Sequence, residues 1–267
     1  MRTFGAFTAP GSGQFYGEIL GLEVESTAPM VRRLRQPFWL GLDPAGSEPE
    51  PLAGLQIGIP VAPSKIIAVG RNYHAHAQER GEVAPSSPLT WLKAPTSLLA
   101  HGGTVELPYP QHRIDFEAEL AIVIGRPAKN VSLADAAEYV FGYTAAQDIS
   151  DRVIQEAEKQ FARAKSFDTF TPVGPFVYSE VGPDDLAITL HQNGELRQNG
   201  RTSEMIFSVA EIVSFCSQGT TLLPGDLILT GTPAGVGPIR DGDVLETRIG
   251  PFATLVTRVR GGMTNDE

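Results

Sequence analysis

The sequence contains one cysteine, Cys216, in 267 residues. That excludes an intrachain disulfide, and no Cys/His cluster has zinc spacing, so a reducing cytoplasm is the expected compartment. Basic residues are also scarce, with 21 Lys and Arg against 31 Asp and Glu and a formal net charge of -10. Such a balance argues against nucleic acid or an anionic membrane surface as a partner, because phosphate groups call for a basic footprint. No segment approaches the apolar length of a membrane span, and the opening "MRTFGAFTAPGSG" has no run long enough for a signal peptide. The Gly-rich stretch "LILTGTPAGVG" lacks the lysine and spacing of a phosphate-binding loop, and no dinucleotide fingerprint precedes a helix. Small molecules are the expected partners.

What the sequence does have is glycine and proline, 28 and 21 residues, about 18% of the chain, against roughly 12% in average proteins. With 42% hydrophobic residues, this predicts a mainly β (α+β) fold of short strands, many turns and a few short helices. Residues 1–62 alternate short apolar runs with breakers such as "DPAGSEPEP" and read as a small N-terminal β-rich domain, followed by a larger domain over 63–267. In the larger part, "IDFEAELAIVIG" (114–125) alternates with period two and predicts one strand. Ser132 and Asp135 have the spacing of a capping box and predict a short helix. "DRVIQEAEKQFARAK" carries Ile154, Ala157, Phe161 and Ala164 at helical spacing. Asn193-Gly194 predicts a tight β-hairpin turn. Ser208 and Glu211 cap a helix whose inward face is Ile206, Val209, Ile212, Val213 and Cys216, where the thiol reads as an inert core group.

Glu117 and Glu119 fall on the same face of the predicted strand, close enough to repel strongly if buried, and a divalent cation removes that conflict. The alternative is an edge strand with a solvated polar face, although "LAIVIG" continues as a core strand on both faces. Asp148, following "YTAAQ" at a turn, offers a third carboxylate. Three oxygen ligands with positions left for water or substrate suit a hard ion such as Mg²⁺. Asp115 is expected outside that ligand set, as an acid at the rim or just behind the ligands. His76 and Glu79, three residues apart in a long polar loop, have the makeup of a base and its orienting acid. His101, His112 and His191 show no comparable partner. Lys165, between a helical stretch and an apolar Pro-rich segment, is either a partly buried cation able to stabilise an enolate or a solvated helix-end lysine. Arg152 and Gln155 could hold a substrate carboxylate or carbonyl, or lie on a helix surface. The Thr232 hydroxyl, in the Gly/Pro loop, could bind a carboxylate.

The segments "GRNYHAHAQE" (70–79), "IDFEAELAIVIG" (114–125), "GYTAAQDISDR" (142–152), "RAKSFDTFTPVGP" (163–175) and "LLPGDLILTGTPAGVGP" (222–238) together resemble the fumarylacetoacetate hydrolase family, in the family's order and over roughly residues 65 to 260. The resemblance implies a mixed β-roll or sandwich, usually a homodimer. It also implies a Mg²⁺ or Mn²⁺ ion held by Glu117, Glu119 and Asp148, a lid carrying His76 and Glu79, a catalytic Lys165, and substrate contacts near Arg152, Gln155 and Thr232. One departure is "DISDRV", where Asp151 precedes Arg152 and Val153 follows it. The activity implied is metal-dependent hydrolytic C–C cleavage of an acylpyruvate-like β-diketo acid, with a pyruvate enolate as leaving group. Decarboxylation of oxaloacetate, or decarboxylation or isomerisation of the hydroxy- and oxo-dienedioates of aromatic catabolism, is the alternative. A non-catalytic protein that binds metal and carboxylate is the rival of another class.

Overall fold

The computed structural model describes residues 1–22, 28–79, 81 and 83–261. Its first strands are β1 (Arg2–Thr8), β2 (Gln14–Leu20), β3 (Met30–Arg33), β4 (Glu50–Pro51), β5 (Gln56–Ile57) and β6 (Ile66–Gly70). Helix α1 (His74–Glu79) follows, then β7 (Leu89–Lys93), β8 (Leu98–Ala100), β9 (Thr104–Leu107), β10 (Ile114–Phe116), β11 (Ala118–Ile124), β12 (Val140–Gln147) and β13 (Ser150–Asp151). Helices α2 (Arg152–Glu158) and α3 (Phe161–Ala164) lead to β14 (Thr171–Ser179), β15 (Ala187–Gln192) and β16 (Glu195–Arg201). The chain ends in α4 (Val209–Gly219), β17 (Leu227–Leu229), β18 (Gly237–Pro238), β19 (Val244–Ile249) and β20 (Leu255–Gly261). The mainly β fold with few short helices is as expected.

Among the described residues a twelve-stranded sheet runs β4-β3-β2-β1-β14-β12-β11-β17-β6-β7, with β5 added on β1 and β8 on β14. A five-stranded sheet, β16-β15-β19-β20-β9, packs on it, and a small third sheet is β13-β10-β18. The expected domain boundary near residue 62 falls between β5 and β6. Across it, β1 pairs antiparallel with β14, so the N-terminal strands extend the main sheet. Inside that sheet, between β12 and β17, lies β11, and all seven of its residues are buried. Leu120, Ile122 and Ile124 join the core shared with the second sheet and α4, while Ala121 and Val123 join a second core with Phe4, Phe38, Trp39 and Leu229. A strand sandwiched on both faces has no room to slip register, so what it carries is held rigidly.

Three local expectations are corrected. The period-two run is not one strand: it breaks at Glu117, because β10 pairs with β13 and β18 whereas β11 pairs with β12 and β17. Ser132 does bond Asp135, accepting from its N–H at 3.3 Å and donating to its carboxylate at 2.7 Å, but these bonds close a turn ahead of a 3-10 helix (Ala136–Tyr139). With β12 starting at Val140, there is space for only one turn. The helical pattern over 151–165 is cut at Lys159, whose φ of 56° is left-handed, and Ala157 is exposed. The Asn193-Gly194 turn and the Ser208–Glu211 capping box form as expected, with φ of 55° and 80° at the turn, although Ile206 is only half-buried.

Strands β6 and β17 run parallel at the edge of the main sheet and deliver the two loops that frame the site. Their common start is pinned by buried Asp226, which accepts from the N–H of Ser64 (2.9 Å), Lys65 (3.1 Å) and Leu223 (2.7 Å) and from the Ser64 hydroxyl (2.7 Å), and pairs with Lys65. Asp226→Ala strands several of these donors together, so the expected loss is about 3 kcal/mol. It is read as a lowered urea midpoint at unchanged slope. Glu195→Ala, which removes one partner of an exposed pair, serves as the reference and shifts stability by no more than about 0.5 kcal/mol.

Candidate active site and metal centre

The break at Glu117 builds the centre of the site. Where the chain leaves β10, the Glu117 carbonyl accepts from the Asp148 N–H at 2.8 Å, tying the start of β11 to the end of β12. This places Asp148 beside the two glutamates. Ligand atoms from Glu117, Glu119 and Asp148 lie within 4.8 Å of one another, and all three residues are buried. The expected solvated-edge alternative is excluded by that burial.

Two buried lysines stand against the acids. Lys165, 2% exposed, donates to Glu117 Oε2 and Asp148 Oδ2, both at 2.7 Å. Lys93, also 2% exposed, pairs with Asp148 Oδ1 and donates to the Phe170 carbonyl at 3.0 Å. Lys93 has no counterpart among the residues singled out from sequence. Arg152 Nε donates to Asp115 at 2.8 Å, its Nη2 to Glu117 at 2.5 Å, and its Nη1 to Gln155 Oε1 at 2.8 Å. Asp115 is therefore an arginine partner, held also by Arg113 at 2.9 Å, and stands outside the carboxylate triad as expected.

Glu119 is the exception. It accepts one bond, from the Gly231 N–H at 2.7 Å, and has no ion-pair partner among the described residues. That N–H is aimed by backbone geometry: Gly231 has φ of 94°, and a Cβ there would meet Asn72 Cβ at 2.8 Å and the Val69 carbonyl at 3.1 Å. Asn72, fully buried, fixes this loop by donating to the carbonyls of Thr230 (2.8 Å) and Phe207 (3.1 Å) and accepting from the Phe207 N–H (2.7 Å).

The titration directions follow from this arrangement. Burial, with Asp148 and Glu117 alongside, pushes the Glu119 carboxyl well above the usual carboxylate range. For Glu117, burial acts in the same direction, but the charges of Lys165 and Arg152 outweigh it and hold the group low. Burial would lower Lys165, yet Asp148 and Glu117 keep it raised, so it stays an ammonium. Burial and the neighbouring Lys165 lower Lys93 against the pull of Asp148.

A buried carboxylate without a cation, beside two that have one, is what a divalent ion would complete, and an all-oxygen donor set fits Mg²⁺ or Mn²⁺. The residues present therefore fit the metal.

His76, on α1, is 5% exposed and its Nδ1 lies 3.4 Å from Glu79 Oε2. Both Glu79 oxygens lie 3.3 Å from the Gly235 N–H. Burial lowers the His76 pKa from its ordinary 6.5, more than Glu117 and Glu79 raise it. Residues 80 and 82 of the expected lid lie outside the described residues. One cavity of about 270 Å³ is lined by His76, Glu117, Glu119, Arg152, Gln155, Lys165 and Thr232 together, with Trp91 and Phe161 as its apolar wall. Asp148 lies behind Lys165, and Glu79 behind His76.

Thr232 has its hydroxyl proton committed, donating to the Ala118 carbonyl at 2.8 Å, and accepts from Gln198 at 2.7 Å. It shapes the loop with that hydroxyl. His112, read from sequence as partnerless, has its Nδ1 2.8 Å from buried Asp151, which also caps α2 by accepting from the Ile154 N–H at 3.0 Å. The departure at Asp151 thus anchors the helix that carries Arg152 and Gln155. Cys216 is buried, and burial pushes its thiol up to about 12.

Residues 65–260 match the family model described as fumarylacetoacetate (FAA) hydrolase, C-terminal. The crystal structure of a 2-hydroxyhepta-2,4-diene-1,7-dioate isomerase from Mycobacterium marinum superposes with a TM-score of 0.90 at 38% identity, covering 99% of this chain and all of the other. Oxaloacetate tautomerase YisK of Bacillus subtilis is 39% identical over 232 residues, 81% of this chain and 77% of its own. The mitochondrial oxaloacetate tautomerase FAHD1 of Arabidopsis thaliana is 42% identical over 192 residues, 70% of this chain and 86% of its own.

The unpaired Glu119 sets the behaviour of the metal-free protein. A carboxyl whose folded pKa is raised keeps its proton in the fold while the unfolded chain releases it near 4.5. Stability is therefore lost as pH rises above that value towards the raised folded one. In chelator, the wild type is expected to lose stability with that rise, Glu119→Gln to lose less, and millimolar Mg²⁺ to flatten the wild-type slope. Urea titrations at each pH measure this. By calorimetry, Glu119→Gln also binds Mg²⁺ at least 100-fold more weakly.

Proposed function

The chain belongs to the fumarylacetoacetate hydrolase family, and from that premise we propose that it is a metal-dependent enzyme that enolises 2-keto acids. Its reactions would be the interconversion of keto and enol forms of an oxaloacetate-like acid, or the double-bond shift of a 2-hydroxy-dienedioate. The observation that carries this reading is a single cavity lined by Glu117 and Glu119 of the buried carboxylate triad, by the Lys165 ammonium and by a depressed histidine. The activities named for its relatives support it.

Bound at the triad, a divalent cation supplies Lewis acidity and a sink for charge developing on a keto oxygen. The chain's own groups do the rest. Arg152 spends three of its five N–H donors on Asp115, Glu117 and Gln155, leaving one on each terminal nitrogen for a substrate carboxylate. Because the Gln155 carbonyl oxygen accepts from Arg152, its amide N–H₂ is left to donate into the cavity. His76, neutral near pH 7 and oriented through Nδ1 by Glu79, has Nε2 free to take a proton from the carbon beside the keto group. Protonation of the resulting enolate on its oxygen completes tautomerisation to the enol, and protonation on a carbon further along a conjugated chain gives isomerisation. Lys165 adds positive charge beside the developing enolate.

Hydrolytic C–C cleavage of an acylpyruvate is the second reading. It is favoured by a second hollow of about 270 Å³, lined by His76, Glu79, Arg113, Asp115, Arg152, Glu156 and Val236, which adjoins the first and offers water a polar path to the same imidazole. Decarboxylation of oxaloacetate needs the same enolate and no water. The same proposal covers a homodimer acting on small keto acids, without nucleic acid or membrane. Its support is the net charge of -10 and the family resemblance. Among the described residues no helix is long and apolar enough to cross a membrane.

With Mg²⁺ or Mn²⁺ present, the protein is expected to speed loss of the oxaloacetate enol absorbance, to release no acetate from acetylpyruvate, and to stop in EDTA. Release of acetate would move the assignment to hydrolysis, and turnover that survives EDTA would remove the metal from it. His76→Asn should cost about 10²–10⁴ in kcat. Because burial lowers the His76 pKa, the acid limb of kcat/KM is expected below pH 6.5 in the wild type. Glu79→Gln removes a group that raises the His76 pKa, so it should move that limb lower still.

A further inference from the structure

The cavity has two unlike ends. Towards Glu79 it opens into the hollow shared with Asp115 and Glu156, where acids and arginines are mixed. Towards the outer strand β7 it continues into a separate hollow of about 250 Å³, walled by Trp91 and Phe161, in which Lys159 is the single charged lining residue among the described residues. Trp91 and Phe161 meet edge-on at 4.9 Å and form one apolar wall of this slot. Lys165 lies 5.3 Å from the Trp91 ring on the inner side, so the slot connects the catalytic end of the cavity with its rim.

Lys159 is exposed and combines an unusual backbone with an uncommitted charge. It occupies the position after α2 with φ of 56°, a left-handed conformation for which helix ends ordinarily use glycine or asparagine. Its ammonium also has no hydrogen bond or ion pair among the described residues, whereas Lys165 and Arg152 in the same lining are committed to carboxylates. Retaining a lysine where glycine would be unstrained is an outlier that calls for a use.

We propose that the slot walled by Trp91 and Phe161, and closed by Lys159, is the subsite for the distal carboxylate of an extended substrate. The preferred substrate class is then a 2-keto or 2-hydroxy acid whose flat, conjugated chain ends in a second carboxylate. This rests on the enolisation reading and names the substrate class for it. The chelating end of the substrate lies at the triad, the planar chain lies along the aromatic wall, where offset stacking is favourable, and the far carboxylate meets Lys159. A four-carbon diacid places both carboxylates near the triad and makes no use of the slot.

The test uses Lys159→Gly, which relieves the left-handed backbone while removing the ammonium, with Lys159→Arg as the charge-retaining variant. Thermal unfolding should show Lys159→Gly at least as stable as the wild type, so any loss is not one of folding. Three substrates are compared with Mg²⁺ present: 2-hydroxyhepta-2,4-diene-1,7-dioate, 2-hydroxyhexa-2,4-dienoate, which ends in a methyl group, and oxaloacetate. The dioate should be favoured over the dienoate at least tenfold in kcat/KM. Lys159→Gly should lower that ratio about tenfold through KM, and Lys159→Arg should retain it. A ratio that does not move in Lys159→Gly overturns the proposal. Binding is read separately by quenching of Trp91 fluorescence in a Trp39→Phe background. If no substrate is turned over, the enolisation reading fails; quenching by the dioate that Lys159→Gly weakens still upholds the subsite, and quenching it leaves unaltered overturns it.

Discussion

Mutual repulsion among three buried carboxylates is the constraint on which the site depends. At separations up to 4.8 Å, each ionised pair costs roughly 3–4 kcal/mol at an effective dielectric of about 20. No solvated arrangement would hold the groups so close. The fold does so by burying β11 on both faces, by tying Asp148 to the Glu117 backbone, and by closing the other side with the Gly231 loop that Asn72 clamps. Lys93 and Lys165 offset part of the repulsion, and both are themselves tolerable in the interior only because the acids are there. Acids and lysines are thus interdependent, and neither set is a stable core feature alone.

The short segment between Ser150 and Lys165 translates that centre into a binding site. Asp151 caps α2 and is held by His112, so the first turn presents Arg152 and Gln155 inward. The left-handed turn at Lys159 then ends α2 and redirects the chain, so that α3 can deliver Lys165 to the triad with Phe161 against Trp91. A continuous helix over 151–165 would place these groups according to a 3.6-residue period, in a straight line down one side. The break brings them around a cavity instead.

Much of this was legible in the sequence because the signals are local. Glu117 and Glu119 could be paired from their spacing, and the apolar continuation of their strand announced a rigid support. Turn and cap chemistry at Asn193-Gly194 and Ser208–Glu211 depends on adjacent residues and formed as expected. What was not legible depends on partners far along the chain. Nothing in "LTWLK" marks Lys93 for the interior, since a lysine ending an alternating strand ordinarily reaches water, and its partner is 55 residues away. His112 and Asp151 are 39 residues apart. Asn72 gains its role only where β6 and β17 end side by side. The strand break at Glu117 escapes a periodicity argument altogether, because the side-chain alternation continues while the backbone changes sheets.

The pairing of charges explains why the site calls for a cation and not merely tolerates one. Asp115 is held by Arg113 and Arg152, Glu117 by Arg152 and Lys165, and Asp148 by Lys93 and Lys165, so Glu119 is the one acid of this group that pairs with no cation among the described residues. The protein on its own answers by favouring the protonated Glu119 carboxyl. A divalent ion bound there would take the place of that proton, linking metal binding and proton release at one residue. In the proposed reaction, the negative charge generated when a proton leaves the carbon beside the keto group would fall among Lys165, Arg152 and the ion rather than among acids. A distal carboxylate would find no such place at the centre and would be better accommodated at the far end of the cavity, where among the described residues Lys159 supplies the only charge in the lining of the slot.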